Sequence, residues 1–207
     1  TAADRAERAV SNALQNQPLL SMKDALAAVN LKLPGLQNVE MELLQAILES
    51  YADPTPDYKA WSLRDFESTR IREKDLKTIF GLIESLANRL RMTREIKIDS
   101  ITWFGQDGSP EFTFFPIITT EFSELLVRYQ DLPGRKLIVI PGSRANLAAF
   151  KLRRDPHLQS LKTENWNIVK YRQLRNLSDN PLLTRELFAS QITGDPPEYS
   201  SSQLALL

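Results

Sequence analysis

The run Lys136-Leu137-Ile138-Val139-Ile140 most narrows what this chain can become. It is short, aliphatic and rich in β-branched residues, so it reads as a strand. A strand with apolar residues at every position is covered on both faces and belongs inside a sheet with layers on either side. Its neighbours supply those layers. Phe112 to Thr120 reads as the preceding strand and Glu121 to Tyr129 as the helix that links the two. Pro141-Gly142-Ser143 is a turn, and Ser143 is placed to cap a helix carrying Leu147, Phe150, Lys151 and Arg154. Asp155-Pro156 interrupts that helix, a further helical turn holds Leu158 and Leu161, and Trp166 to Tyr171 reads as a last strand. Upstream, Ile96, Ile98, Ser100 and Thr102 alternate with Asp99, Ile101 and Trp103, the pattern of one strand partly buried on both faces. Asp107-Gly108 is a hairpin signal joining it to the Phe112 strand. Pro116 has no N–H, so that strand is expected at a sheet edge, or bulged there. The expected core is a hairpin followed by two crossovers, with parallel strands beside an antiparallel pair and helices on both faces.

The first ninety residues read as helical. Ala6, Val10, Ala13 and Leu14 form one stripe, and Ser21-x-x-Asp24 has capping-box form ahead of Ala25, Leu26, Ala28 and Val29. Pro34-Gly35 should end that helix. Met41, Leu44, Ile47, Leu48 and Tyr51 space a third, stopped by Pro54 and Pro56. Ser62 to Asp65 repeats the capping form before Leu76, Ile79, Phe80, Ile83, Leu86, Ala87 and Leu90, the clearest amphipathic helix in the chain. Leu183 to Ile192 is a terminal helix. The fold class is therefore α/β (α+β). We divide the chain into a helical N-terminal region (1–60), an α/β core (61–193) and a loose tail (194–207).

Composition excludes several chemistries. There is no cysteine, hence no disulfide, thiolate zinc site or cysteine nucleophile, which fits a reducing, cytoplasmic setting. His157 is the single histidine, which rules out a multi-histidine metal site. Lys and Arg number 26 and so do Asp and Glu, so no global field draws the chain to nucleic acid or membrane. No apolar run is long enough to span a bilayer. The start, Thr1-Ala2-Ala3-Asp4-Arg5, has neither a methionine nor the apolar stretch of a signal peptide, as expected of a processed chain or a piece of a longer one.

Ile98-Asp99-Ser100-Ile101-Thr102-Trp103, Phe114 to Thr120 and Leu125-Leu126-Val127-Arg128 together resemble the PD-(D/E)XK restriction-endonuclease-like core over roughly residues 76–175. The resemblance implies a restriction-endonuclease-like mixed sheet in which Asp99 matches the family's metal-binding aspartate. It also implies a setting in bacterial DNA processing or defence. The match fails at the chemistry. The two acidic positions of the second strand fall on Phe115 and Ile117, or on Pro116 and Ile118 one residue along. Family members hold Mg²⁺ through several oxygen ligands, so the expected chain is a pseudo-nuclease with no catalytic residue, metal or cofactor. An active enzyme would have to assemble a Mg²⁺ site from Asp99 with Glu111 or Glu121. Otherwise Asp99 is a strand-end or turn residue paired with Lys97 or Arg94.

Charge is unevenly placed. Residues 135–175 carry ten Lys and Arg against Asp155 and Glu164, whereas residues 40–67 lean acidic. A basic lobe fits phosphate contacts, and Arg144, Lys151, Arg153, Arg154, Lys170 and Arg172 are the candidates. Trp166 and Tyr171 interleave with them and could stack on bases, or be core. Pro141-Gly142-Ser143-Arg144 could hold a phosphate at a helix start. As a nucleophile, Ser143 lacks flanking glycines and has only His157 for a base. The alternative is a solvated basic face paired with the acidic region of the same chain. The two main functional expectations are a non-catalytic nuclease-like domain that contacts DNA or RNA backbone and a protein partner, and a protein–protein interaction scaffold with no nucleic-acid role. An active Mg²⁺-dependent nuclease with relocated carboxylates is the third.

Overall fold

The computed structural model describes residues 1–33, 39–162 and 165–192. Its centre is a five-stranded mixed sheet: β4 (Thr93–Ile96), β5 (Ile101–Phe104), β6 (Pro110–Pro116), β7 (Arg135–Ile140) and β8 (Trp166–Lys170), hydrogen-bonded in that order. β4, β5 and β6 are antiparallel neighbours, and β6, β7 and β8 are parallel. The expected hairpin with its crossovers is present, and the class is mixed α/β. α5 (Ser123–Tyr129) carries the chain from β6 to β7, and α6 (Ala145–Arg154) with a 3-10 segment (Pro156–Lys162) carries it from β7 to β8.

Alternation along the strands assigns each face its helices. Phe112, Phe114, Leu137, Val139 and Val169 point to one side. There they bury against α4 (Thr69–Arg89), α7 (Tyr171–Asp179) and α8 (Arg185–Gln191), in a core that includes Ile79, Ile83, Leu174 and Phe188. Phe115, Ile138, Ile140 and Trp166 point to the other side, against Leu125, Leu126, Ala148, Leu152 and Leu158. The five residues from Lys136 to Ile140 are all buried, as a strand covered on both faces requires. Trp103 stacks within 4.6 Å of Phe114 and 5.0 Å of Phe188, so one aromatic cluster ties β5 and β6 to α8.

The N-terminal region packs a third core from α1 (Ala2–Asn16), α2 (Met22–Lys32) and α3 (Met41–Tyr51). The Ser21 cap forms as its sequence dictates: Asp24 N–H donates to Ser21 Oγ at 3.1 Å, and Ser21 Oγ donates to the Asp24 carboxylate at 2.6 Å. Three short strands, β1 (Leu20–Ser21), β2 (Ala52–Pro54) and β3 (Ala60–Leu63), pair in the order β1-β3-β2 beside these helices. At two to four residues each they leave no period to read. Leu147 of α6 is fully buried in this N-terminal core, which therefore continues into the crossover helix.

Several local expectations are corrected. The run 96–103 is a tight hairpin, not one strand. Lys97 N–H donates to Ser100 C=O at 2.8 Å, and Ile98 sits fully exposed at the turn. Ser62 lies in β3, so the long helix starts after Ser68 instead. Pro116 ends a central strand, with no bulge there. The following N–H, from Ile117, donates to Val139 on β7, so the missing Pro116 N–H faces β5. β5 begins only at Ile101, opposite Phe114, and leaves no acceptor there. α7 was not legible because β8 runs into it without a loop. Lys170 N–H is capped at 2.6 Å by Gln173 Oε1. Gly134, just before β7, has φ +79, and a Cβ there would meet Pro110 C=O at 2.5 Å, so only glycine fits. Pro34-Gly35 and the tail 194–207 lie outside the described residues.

Candidate functional site

In parallel α/β sheets the loops after the strands form the crevice where ligands bind. Here those loops are Ile117 to Phe122 after β6, Pro141 to Arg144 after β7, and the β8–α7 junction, where Tyr171 Oη donates to Ile117 C=O at 2.8 Å. The N-terminal helices close over this edge, leaving a cavity of about 160 Å³ lined by Arg8, Gln15, Tyr51, Glu67, Arg72 and Arg144 among others. Around it charged side chains are buried in two clusters, the second of which forms part of its wall.

The first is built around Lys151, only 1% exposed. Its ammonium donates to Asp4 at 2.8 Å, Glu7 at 2.5 Å and Thr120 C=O at 3.1 Å, which uses all three of its protons. Glu7 is likewise saturated, accepting also from Tyr51 Oη at 2.6 Å, Thr120 N–H at 2.8 Å and Thr120 Oγ1 at 2.5 Å. Ser123 N–H completes Asp4 at 3.1 Å. Burial alone would raise both carboxylate pKa values, but the Lys151 charge and these donors outweigh it and hold them below the usual range. Burial would depress Lys151, yet Glu7 and Asp4 raise it above its ordinary value.

The second cluster is built around Glu67, 1% exposed. Its carboxylate accepts from Arg72 through Nε at 2.8 Å and through Nη2, from Arg144 Nη2 at 2.5 Å, and from Ser143 Oγ at 2.7 Å. Burial again works to raise its pKa, and Arg72, Arg144 and Ser143 pull it below the usual value. Arg144 spends its remaining donors on Ile118 C=O at 3.1 Å and Ser50 C=O at 2.6 Å. Its guanidinium lies 3.3 Å from the centre of the Tyr51 ring. Tyr51 therefore joins the two clusters, and the phenol is itself pushed up by burial and Glu7.

The fate of the basic candidates follows. Arg144, Lys151 and Lys170 are interior residues, at most 2% exposed, and line no exposed basic surface. Arg144 is neutralised by Glu67, within the acidic 40–67 stretch, but Lys151 is neutralised by Asp4 and Glu7, outside it, and both pairs are buried where the intramolecular alternative expects a solvated face. Arg154 is half-exposed and pairs with Glu40 at 2.5 Å. Arg153 is exposed and Arg172 half-buried. Trp166 and Tyr171 are core. Ser143 and Arg144, read as a phosphate site, both donate instead to the chain's own Glu67. Ser143 does not cap α6, whose N-cap is Arg144. Nor does Ser143 meet His157, since α6, about 15 Å long, separates them.

The candidate metal ligands do not converge. Asp99, in the β4–β5 turn, accepts from Arg128 at 3.1 Å and Tyr129 Oη at 2.6 Å, not from Lys97 or Arg94. Glu111 lies at the opposite end of the β5–β6 ladder, about 16 Å along the strand at roughly 3.3 Å per residue. Glu121 is bound to Arg8 on α1. Among the described residues no group of three or more His, Cys, Asp or Glu side chains gathers at one point. Likewise, no helix among them is long and apolar enough to cross a membrane.

Sequence reading missed Asp4, Glu7, Tyr51, Glu67, Arg72 and Thr120. One of these, Glu7, left a signal, of the kind that Lys151 also shows. Glu7 interrupts the Ala6–Val10–Leu14 stripe, as Lys151 interrupts Leu147, Ala148 and Leu152. A charge on an apolar helix face has to find a partner when that face is buried. No protein family, curated protein or solved structure matches this chain.

Proposed function

We propose that this chain is a non-catalytic protein-interaction module built on a nuclease-like α/β core, acting through protein contacts and not through phosphodiester chemistry or phosphate binding. One observation carries the reading: at the carboxyl ends of the parallel strands the basic residues turn inward and are saturated by Glu67, Asp4 and Glu7. A phosphate would have to displace a buried carboxylate from two arginines, leaving that carboxylate unpaired at a cost of several kcal/mol. The dispersion of Asp99, Glu111 and Glu121 supports the non-catalytic half of the reading.

The test is a fluorescence titration with short labelled duplex, single-stranded DNA and RNA at low and moderate salt, with a plasmid incubation in Mg²⁺ or Mn²⁺ alongside. No binding and no cleavage are expected. Binding whose log K falls with log salt at about −0.9 per phosphate contact on duplex would overturn the reading. So would cleavage abolished by Asp99→Asn.

A further inference from the structure

We infer that β4 is a docking edge for a second copy of this chain, joining two five-stranded sheets into one through an antiparallel β4–β4 pair. This rests on the interaction-module reading and names its partner. The sheet has two edges. The β8 edge belongs to a strand with Trp166, Val169 and Lys170 buried. The β4 edge is bare: Thr93, Glu95 and Ile96 are exposed. Ile96 is 51% exposed and Ile98, at the adjoining turn, 100%. Lys97 bonds inward to Ser100. Along an antiparallel ladder inward- and outward-bonding residues alternate, so Glu95 and Thr93 also bond inward, while Arg94 and Ile96 turn their N–H and C=O outward. Such an edge recruits another strand.

Charge selects the partner and the register. Two copies related by a two-fold axis perpendicular to the sheet set one residue opposite itself. Centred on Arg94, the pair opposes arginine to arginine. Centred on Glu95, it opposes glutamate to glutamate. Centred on Ile96, it sets Ile96 against Ile96, with Glu95 of each copy opposite Lys97 of the other, twice. Directly opposed like charges destabilise a strand pair and unlike charges stabilise it, and a Thr93-centred pair would need the Met92 N–H that already donates to Ala87 C=O, so the Ile96-centred register is favoured. Within one chain Glu95 and Lys97 already lie 3.3 Å apart, both more than half exposed, and are free to exchange partners across the axis. A four-residue edge makes a small interface, so the dimer is reversible and concentration-dependent.

Sedimentation velocity over a wide concentration range tests this. Wild type should shift from monomer to dimer as concentration rises. Glu95→Lys and Lys97→Glu should each weaken the dimer roughly tenfold or more, because each makes both crossed pairs like-charged. Mixing the two single variants should restore association as a heterodimer, since all crossed pairs are then opposite in sign. All four residues of the two pairs are exposed, so both variants should keep the wild-type circular dichroism and thermal midpoint. A wild type that stays monomeric throughout would overturn the inference. Dimers indifferent to either variant, or variants that fail to associate when mixed, would overturn it too. Each result stands apart from the nucleic-acid titration: a monomer that still binds no nucleic acid sinks the second copy but not the interaction-module reading.

Discussion

The carboxyl ends of the parallel strands and the β4 edge use the same side-chain types for opposite ends. At the first, Lys151, Arg144 and Arg72 meet Asp4, Glu7 and Glu67 almost out of contact with water. At the second, Arg94, Glu95 and Lys97 sit near water, and the Lys97–Glu95 pair is open to solvent. Buried ions bear a desolvation penalty, so every proton and lone pair must be matched and loss of one member strands the rest. Exposed pairs are worth little and can change partner. Charge inside this protein locks the N-terminal helices to the sheet, whereas charge at its edge stays open to solvent.

The largest expected effects lie in the lock and the aromatic core. Lys151→Ala leaves Asp4 and Glu7 buried without their cation, and should cost about 3–5 kcal/mol in urea or thermal unfolding. Phe114→Ala, in the aromatic cluster with Trp103 and Phe188, should cost a similar ~3–5 kcal/mol through the cavity it leaves. If Lys151→Ala moved the midpoint no more than a surface change, the buried cluster would contribute nothing to holding the two regions together.

Acid sharpens the contrast. Asp4, Glu7 and Glu67 have folded pKa values below their ordinary ones. Their contribution is complete above the unfolded carboxylate range of about 4 and is lost as pH falls through the folded values. Stability should therefore hold from neutrality to about pH 5 and then fall. Glu7→Gln should lower the plateau and flatten the acid limb. An unfolding free energy as steep below pH 4 in Glu7→Gln as in wild type would show that Glu7 is not the titrating group. Lys151 has the opposite sign: its folded pKa is raised, so its contribution is lost only as pH climbs above about 10.

Tyr51→Phe removes one donor to Glu7 while leaving the ring under Arg144. It should cost about 1–3 kcal/mol, the desolvation cost of a buried group left short of a partner. The smallest effect belongs to the edge. Lys97→Ala should change monomer stability by less than about 0.5 kcal/mol, measured at a concentration where association is absent.

The sequence by itself determined the layers. The apolar run 136–140, the Asp107-Gly108 turn and the capped, periodic helices are local signals, each readable because its own residues enforce it through periodicity, backbone conformation or capping. The antiparallel-then-parallel order followed, because crossover connections admit few topologies. Elements whose cause is not local stayed hidden: the two- to four-residue strands of the small sheet, the turn inside 96–103 and the helix that continues β8 without a break. The destination of charge was hidden for the same reason. Arg144 and Lys151 read as a basic surface because linear sequence displays their sign and not their burial. Their partners lie 77 to 147 positions away, on segments that meet them only when the N-terminal helices close over the ends of the strands. Sign and spacing are properties of the chain, but the desolvation that turns a basic stretch into an internal lock exists only in the packed protein.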